Sequence, residues 1–191
     1  MTTSQPFRAA PCRLDLIDLA ILGVFVDGTR APQAVVDVVR ALCRPWLHPT
    51  GETVTVRLAR HAGAGLVSQD GQALRLTAAG AQALRWLVVA PAGAWAADHR
   101  ELAESLRLAL AVRLAQAERD LVHADLLRDR VRCVAAARRR QRRAAGSGGV
   151  LGRAVGHAVA LAEMRLGALR TLLAESDSPA GPLARSMETG A

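Results

Sequence analysis

Hydrophobic and polar positions recur along this chain with two different periods, and the switch between them marks its most informative segment. Between Thr50 and Gly80 the sequence reads TGETVTVRLARHAGAGLVSQDGQALRLTAAG. Val54, Leu58 and Ala62 recur at helical spacing on one face, and Thr53, Arg57 and Arg60 on another. Thr50 stands where an N-cap accepts the free N–H groups of a first turn. Gly63 and Gly65 end the helix, because glycine tolerates positive φ. The period then drops to two. Leu66-Val67-Ser68-Gln69 and Gln72-Ala73-Leu74-Arg75-Leu76 alternate around Asp70-Gly71, a strong hairpin signal. Thr77–Val89 returns to helical spacing. A helix with a polar face followed by a two-stranded wing suits DNA, with the helix in the major groove and the wing on the backbone.

Upstream, Arg13–Val26 predicts a helix that is apolar nearly all round and closed by Asp27-Gly28. Pro32 suits a first turn and opens a helix to Cys43, with Val35, Val38, Val39 and Leu42 as its buried stripe. Pro45–Pro49 predicts the turn before the polar-faced helix, anchored by Trp46. Downstream of a Pro91-Ala92-Gly93 linker, Asp98-x-x-Glu101 predicts a capping box at the start of a long helix. Leu106, Leu110, Leu114, Ala117, Leu121, Ala124, Leu127, Val131 and Val134 form its stripe. Unbroken to Ala145, such a helix would run roughly 70 Å at about 1.5 Å per residue. Too little chain lies beside it to bury that stripe, so dimerisation is the expected solution.

Gly146–Gly149 predicts a break, and Val150–Glu175 a further helix whose small residues (Gly152, Ala154, Gly156, Ala158, Ala160, Ala162) allow close packing. Arg153, His157, Glu163 and Arg165 argue against membrane insertion of that run. The expected organisation is mainly α. A flexible arm (1–11) precedes an N-terminal winged helix-turn-helix domain (12–92) with a short β-hairpin wing. Long C-terminal dimerisation helices (96–175) and a disordered tail (176–191) follow.

The winged segment resembles the PadR family of bacterial transcriptional regulators. The family's recognition helix carries a Thr, an aliphatic residue, then Leu, Arg and a closing Gly-Leu. Here these are Thr53, Val54, Leu58, Arg60, Gly65 and Leu66. The family's strand-to-helix passage, Arg-Leu-Thr-x-x-Gly, is present as Arg75-Leu76-Thr77-Ala78-Ala79-Gly80. A Tyr usual in the recognition helix is Thr55 here, and the Gly-Tyr near the start of the second helix is missing from Thr29–Val36. The resemblance covers roughly residues 13–90. It implies a DNA-binding dimer, with an apolar pocket for flat molecules where the winged helix meets the long helix. Trp86 and Trp95 sit at that junction in the sequence.

Composition narrows the chemistry. All 25 basic residues of this 191-residue chain are Arg; Lys, Asn and Tyr are absent. Those three have AT-rich codons, so a GC-rich bacterial genome accounts for the usage, and Arg content alone says little. The net charge of +8, with a pI near 11.3, is a separate observation and favours an anionic partner. Without Lys there is no Gly-Lys-Ser/Thr phosphate loop and no lysine Schiff base. The Gly146–Gly152 run lacks the third glycine of a dinucleotide fingerprint, and no Gly-x-Ser-x-Gly elbow occurs. An enzyme is not expected, nor is a cofactor. Cys12, Cys43 and Cys133 are far apart and odd in number, which with no signal peptide suits a reducing cytoplasm. Asp15 and Asp18 interrupt the apolar run Leu14–Val26, itself too short for a membrane span. Cys43, His48 and His61 flank the polar-faced helix but match no zinc spacing, so no metal site is expected.

The expected function is a sequence-specific, DNA-binding transcriptional regulator, a repressor acting as a homodimer on double-stranded DNA. Thr53, Arg57 and Arg60 would face the major groove, with Arg57 matching a guanine edge. Thr50 would hold a phosphate, and Gln69, Gln72 and Arg75 would serve the wing. Glu52 at the front of the helix would repel phosphate unless it reads a cytosine. Arg138, Arg139, Arg140, Arg142 and Arg143 form a run without acids: a solvated helix end, a second DNA-backbone contact, or a site for RNA or an acidic protein. Trp86 and Trp95 would line a pocket for a small apolar effector. The rival expectation is a winged-helix protein-interaction or scaffold module assembled through its long helices.

Overall fold

The architecture follows from where apolar faces find partners. In a computed structural model of the chain, residues 15–44, 46–91, 94–95, 97–144 and 149–177 are described. The expected arm (1–11), the linker residues Ala92 and Gly93, most of the Gly146–Gly149 break and the tail from residue 178 lie outside them. Seven α-helices and one hairpin are described: α1 (Leu16–Val24), α2 (Pro32–Cys43), α3 (Gly51–Gly63), β1 (Val67–Asp70), β2 (Ala73–Leu76), α4 (Ala78–Val89), α5 (Arg100–Ala111), α6 (Gln116–Arg143) and α7 (Val150–Asp177). The chain divides into two compact units, residues 1–122 and 123–191. No helix among the described residues is long and apolar enough to cross a membrane.

The first unit is a winged helix. α1 is the central element, packed by α2, α3, α4 and α5, and Leu19, Ala20, Ile21 and Leu22 have no solvent exposure. Its start is set by a capping box. The Asp15 carboxylate accepts from the N–H groups of Ile17 and Asp18, and the Asp18 carboxylate accepts from the Asp15 N–H at 2.8 Å. α2 spans the expected residues but buries a neighbouring stripe, Val35, Val36, Val39 and Cys43. Val38 and Leu42 are exposed. Valines at 35, 36, 38 and 39 satisfy either face, so packing against α1 and α3 chooses between them. Trp46 is likewise not a buried anchor. It is 38% exposed, and its indole N–H donates to Glu101 of α5 at 3.1 Å.

α3 begins at Thr50, whose hydroxyl accepts from the Thr53 N–H at 3.1 Å, and ends where Gly65 adopts φ +71°. The hairpin pairs Val67 with Leu76 and Asp70 with Ala73. The two-residue turn is therefore Gly71-Gln72, one residue later than Asp70-Gly71. Gly71 carries φ +61° and Gln72 does not have positive φ, the pattern of a type II′ turn. Arg30 adds a third short strand position. Its N–H donates to the Leu74 carbonyl at 2.9 Å and its carbonyl accepts from the Leu74 N–H at 2.7 Å.

The expected continuous helix from Asp98 is divided. A 3-10 turn at Ala97–His99 leads into α5 without a side-chain cap, so the Asp98/Glu101 capping box does not form. α5 then stops at Ala111, and α6 starts at Gln116. No Gly or Pro marks that break. α5 is held on α1 and α4, with Leu110 against Gly23, where an added Cβ would stand 3.1 Å from Leu110 Cδ1. Just beyond it, Arg113 pairs with Asp27 at 2.7 Å.

In the second unit, Leu126, Arg130, Val134 and Ala137 of α6 and Val159, Leu169 and Leu173 of α7 are buried. The stripe expected on α6 is mostly outward, with Leu121 61% and Val131 47% exposed. Several of the small residues of α7 face outward. Ala154, Ala158 and Ala160 are exposed, and a Cβ at Gly156 would meet nothing within 4 Å.

Candidate nucleic-acid interface

The segment between α3 and α4 is built to hold the wing against the helix. At Thr77 the hydroxyl caps α4, accepting from the Gly80 N–H at 3.0 Å, and it also donates to the Gly65 carbonyl at 2.7 Å. The Thr77 N–H donates to the Leu66 carbonyl at 3.0 Å. Gly80 is buried against that same carbonyl: a Cβ there would stand 2.0 Å from the Leu66 oxygen. The Arg75-Leu76-Thr77-x-x-Gly80 run thus has a structural meaning. Thr77 joins the end of α3 to the start of α4, and Gly80 leaves the room.

α3 turns Val54, Leu58 and His61 inward. Ala62, expected on that face, is exposed, and His61 takes its place with 1% exposure. The reason is Asp18, a carboxylate with no solvent exposure in the first turn of α1. His61 Nε2 lies 3.0 Å from Asp18 Oδ1, and the Arg60 guanidinium donates to the same oxygen at 2.9 Å. Arg57 Nη1 donates to Asp18 Oδ2 at 3.1 Å and to Asp15 Oδ1 at 2.6 Å. Burial by itself would raise the Asp18 pKa. The His61 hydrogen bond, the Asp15 N–H and the charges of Arg57 and His61 outweigh it and hold the carboxyl below the ordinary aspartate value.

This network changes the position of two expected DNA contacts. Arg57, expected to match a guanine edge, is engaged inside the protein by two aspartates and is only 23% exposed. Arg60 is 44% exposed and bonded to Asp18 through one nitrogen, which leaves the rest of its fork outward. Thr53 is half-buried beside Thr50, their hydroxyls 2.8 Å apart. Besides Arg60 and Ala62, the outward side chains of α3 are Glu52, Thr55, Val56 and Ala59. Asp15, Asp18 and His61 were not singled out as interface residues by sequence reasoning. The legible signal was Asp18 itself, an acid inside an otherwise apolar helix, because a buried charge requires partners.

On the wing, Gln69, Gln72 and Arg75 are exposed, as a backbone contact needs. The Gln69 amide donates to the Gly71 carbonyl at 3.0 Å and Arg75 Nε donates to the Ser68 hydroxyl at 3.3 Å. Both bonds order the tip while leaving donors free. Of the arginine run, Arg138 pairs with Glu163 at 2.6 Å, and Arg139, Arg140, Arg142 and Arg143 are exposed at the end of α6.

Trp86 and Trp95 do not line one pocket. Trp86 is 76% exposed on α4, in a cavity with Gln82, Arg85 and Val89, whereas Trp95 is half-buried and does not line that cavity. A larger cavity of about 570 Å³ lies nearby, walled by Phe25, Leu84, Val88, Leu110 and Leu114, with the Arg85–Glu118 ion pair at its rim. The cysteine and histidines considered for metal are separated in role. His61 is bonded to Asp18, His48 is exposed, and burial together with the nearby Asp15 charge pushes the Cys43 thiol up to about 11. Among the described residues no group of three His, Cys, Asp or Glu side chains is placed to hold a metal ion.

No family model and no curated protein matches the sequence. Among solved structures, the chain is similar to Bacillus subtilis PadR, at a TM-score of 0.40 and 16% identity, covering 91% of this chain and 100% of that one. It is similar also to Bacillus subtilis PadR in complex with p-coumaric acid (TM-score 0.40, 15% identity, 90% and 99% covered). The match to the same protein in complex with operator DNA has a TM-score of 0.36 and 15% identity, with 90% and 99% covered.

Proposed function

We propose that this chain is a sequence-specific DNA-binding transcriptional regulator, a repressor acting as a homodimer. The observation that supports this most directly is the pairing of α3, with its solvent-facing side, and a rigidly attached two-stranded wing, in a chain of net charge +8. In such a unit α3 enters the major groove. Its N-terminus, at Thr50, offers unpaired backbone N–H groups to a phosphate. The outward part of Arg60 and the wing residues Gln69, Gln72 and Arg75 contact the backbone. Arg57 acts one layer behind, holding α3 to α1 rather than touching DNA.

Dimerisation has its support in the outward apolar residues of the C-terminal helices, Leu121 and Val131 on α6 and Met164 on α7. A small apolar effector would occupy the cavity walled by Phe25, Leu84 and Leu110 rather than the surface around Trp86. The exposed arginines 139, 140, 142 and 143 supply a second, sequence-independent contact to the DNA backbone. Selection of fragments from random double-stranded DNA tests the reading. A retained sequence whose affinity falls linearly in log salt is the expected result. No retention at low salt would overturn it, and an assembly indifferent to salt would favour the scaffold reading.

A further inference from the structure

We infer that α3 reads its operator through methyl groups, with Val56 seated on the C5-methyl of a thymine, and not through an arginine on guanine. The inference rests on the DNA-binding reading above and specifies which bases that site recognises.

Both arginines of α3 are engaged by acids of α1 and its cap. Arg57 is shared between Asp15 and Asp18, and Arg60 bonds to Asp18 as well. Asp18 has no solvent exposure. Moving Arg57 out to a base would take a charge partner from a carboxylate that water cannot reach, and an abandoned buried charge is strongly unfavourable. A guanine contact by Arg57 is therefore opposed by the fold of the domain that presents it.

Glu52, Thr55, Val56 and Ala59 are spaced i, i+3, i+4 and i+7, one stripe whose first three members lie on the N-terminal half of α3. That half is the part of a recognition helix that meets base edges. Val56 is 62% exposed and serves no core. A β-branched residue there is also a poorer helix former than Ala or Leu, so helix stability does not account for it. The Thr55 hydroxyl donates to the Gly51 carbonyl at 2.9 Å, so its proton is already used and its methyl remains to be presented. Three of these four side chains thus offer methyl groups, while Arg60, also exposed, lies outside the stripe and is tied to Asp18 through one nitrogen. None of the four can make the paired donor contact that reads guanine. Thymine is the base that carries a methyl in the major groove. Glu52, at the leading end, accepts a hydrogen bond and fits the exocyclic amine of cytosine.

The experiment uses the full chain and duplexes selected by it from a random pool. Each thymine in the selected site is replaced singly by uracil, which keeps the base pair and removes only the methyl. One or two positions per half-site are expected to weaken binding about fourfold, the effect of returning one methyl to water. Val56→Ala should bind the thymine site more weakly and show a smaller thymine-to-uracil difference, with its melting temperature equal or slightly raised, since Ala is the better helix former. A site that tolerates uracil throughout, and whose required guanine is lost from the selection with Arg57→Gln, would overturn the inference while leaving DNA binding intact. Failure to select any duplex would overturn the DNA-binding reading itself, a different result from a site indifferent to uracil.

Discussion

The Arg57 guanidinium lies 3.1 Å from the Asp18 carboxylate, joining the middle of the polar-faced helix to a side chain with no exposure in the helix beneath it. Asp15, Arg60 and His61 complete the cluster. Removing the central partner takes the carboxylate from Arg60 and His61 and leaves Arg57 with Asp15 alone. Asp18→Ala should lower stability by about 3–5 kcal/mol, the range for breaking one side of a buried pair. Urea unfolding at neutral pH measures it, and a loss under about 1 kcal/mol, as for an exposed ion pair, would show that the cluster contributes little.

The same carboxyl sets an acid limit. Its pKa is lower in the folded chain than in the unfolded one, where the ordinary value is about 3.8. The unfolded chain therefore binds its proton first as pH falls. The stabilisation is complete above about pH 4–5 and is lost as pH falls through the folded value. Stability measured from pH 6 downward should drop across that acid window. Asp18→Asn should be less stable throughout and should show a shallower drop.

Gly80 leaves no room for a side chain. With a Cβ placed 2.0 Å from the Leu66 oxygen, Gly80→Ala must push α4 away from the end of α3. Ala is the better helix former, so propensity alone would raise stability. The steric effect should dominate, costing about 1–3 kcal/mol or more. An equal or higher melting temperature would show that the helix shifts freely.

Leu121 is 61% exposed on α6, so Leu121→Asp should leave the folded monomer intact. In the proposed dimer it would bury a charge. Light scattering should report two chains for the wild type and one for the variant, with unchanged helical circular dichroism. A wild-type mass of one chain would end the dimer reading.

Replacing Arg138, Arg139, Arg140, Arg142 and Arg143 by Gln should keep sequence preference and lower affinity for all duplexes. The salt slope should shrink by roughly 0.9 for each phosphate that the variant no longer neutralises. Arg138 contributes least, because Glu163 already neutralises it. An unchanged slope would make the run a solvated helix end.

Local signals were read from the sequence wherever the physics is local. Thr50 and Thr77 cap the next helix with their own hydroxyls, Pro32 opens a turn, and the alternation around Gly71 forms a hairpin because adjacent strands need no other partner. Such choices are made within a few residues, so the winged helix and its mainly α class were legible. Which face of a helix is buried depends on what lies opposite. Val36 and Cys43 replaced Val38 and Leu42 because α1 and α3 flank α2 on that side, and His61 replaced Ala62 because Asp18 stands beneath it. The break between α5 and α6 carries no Gly or Pro, and it occurs just beyond the point where α5 is held by α1 and α4. The fate of Arg57 is the sharpest case. Spacing places it beside Thr53 and Arg60 on a polar face, but Asp15 and Asp18 lie about forty residues away along the chain, and only folding brings their charge within reach. Burial then decides for the ion pair, because a carboxylate that cannot be hydrated must keep its cation.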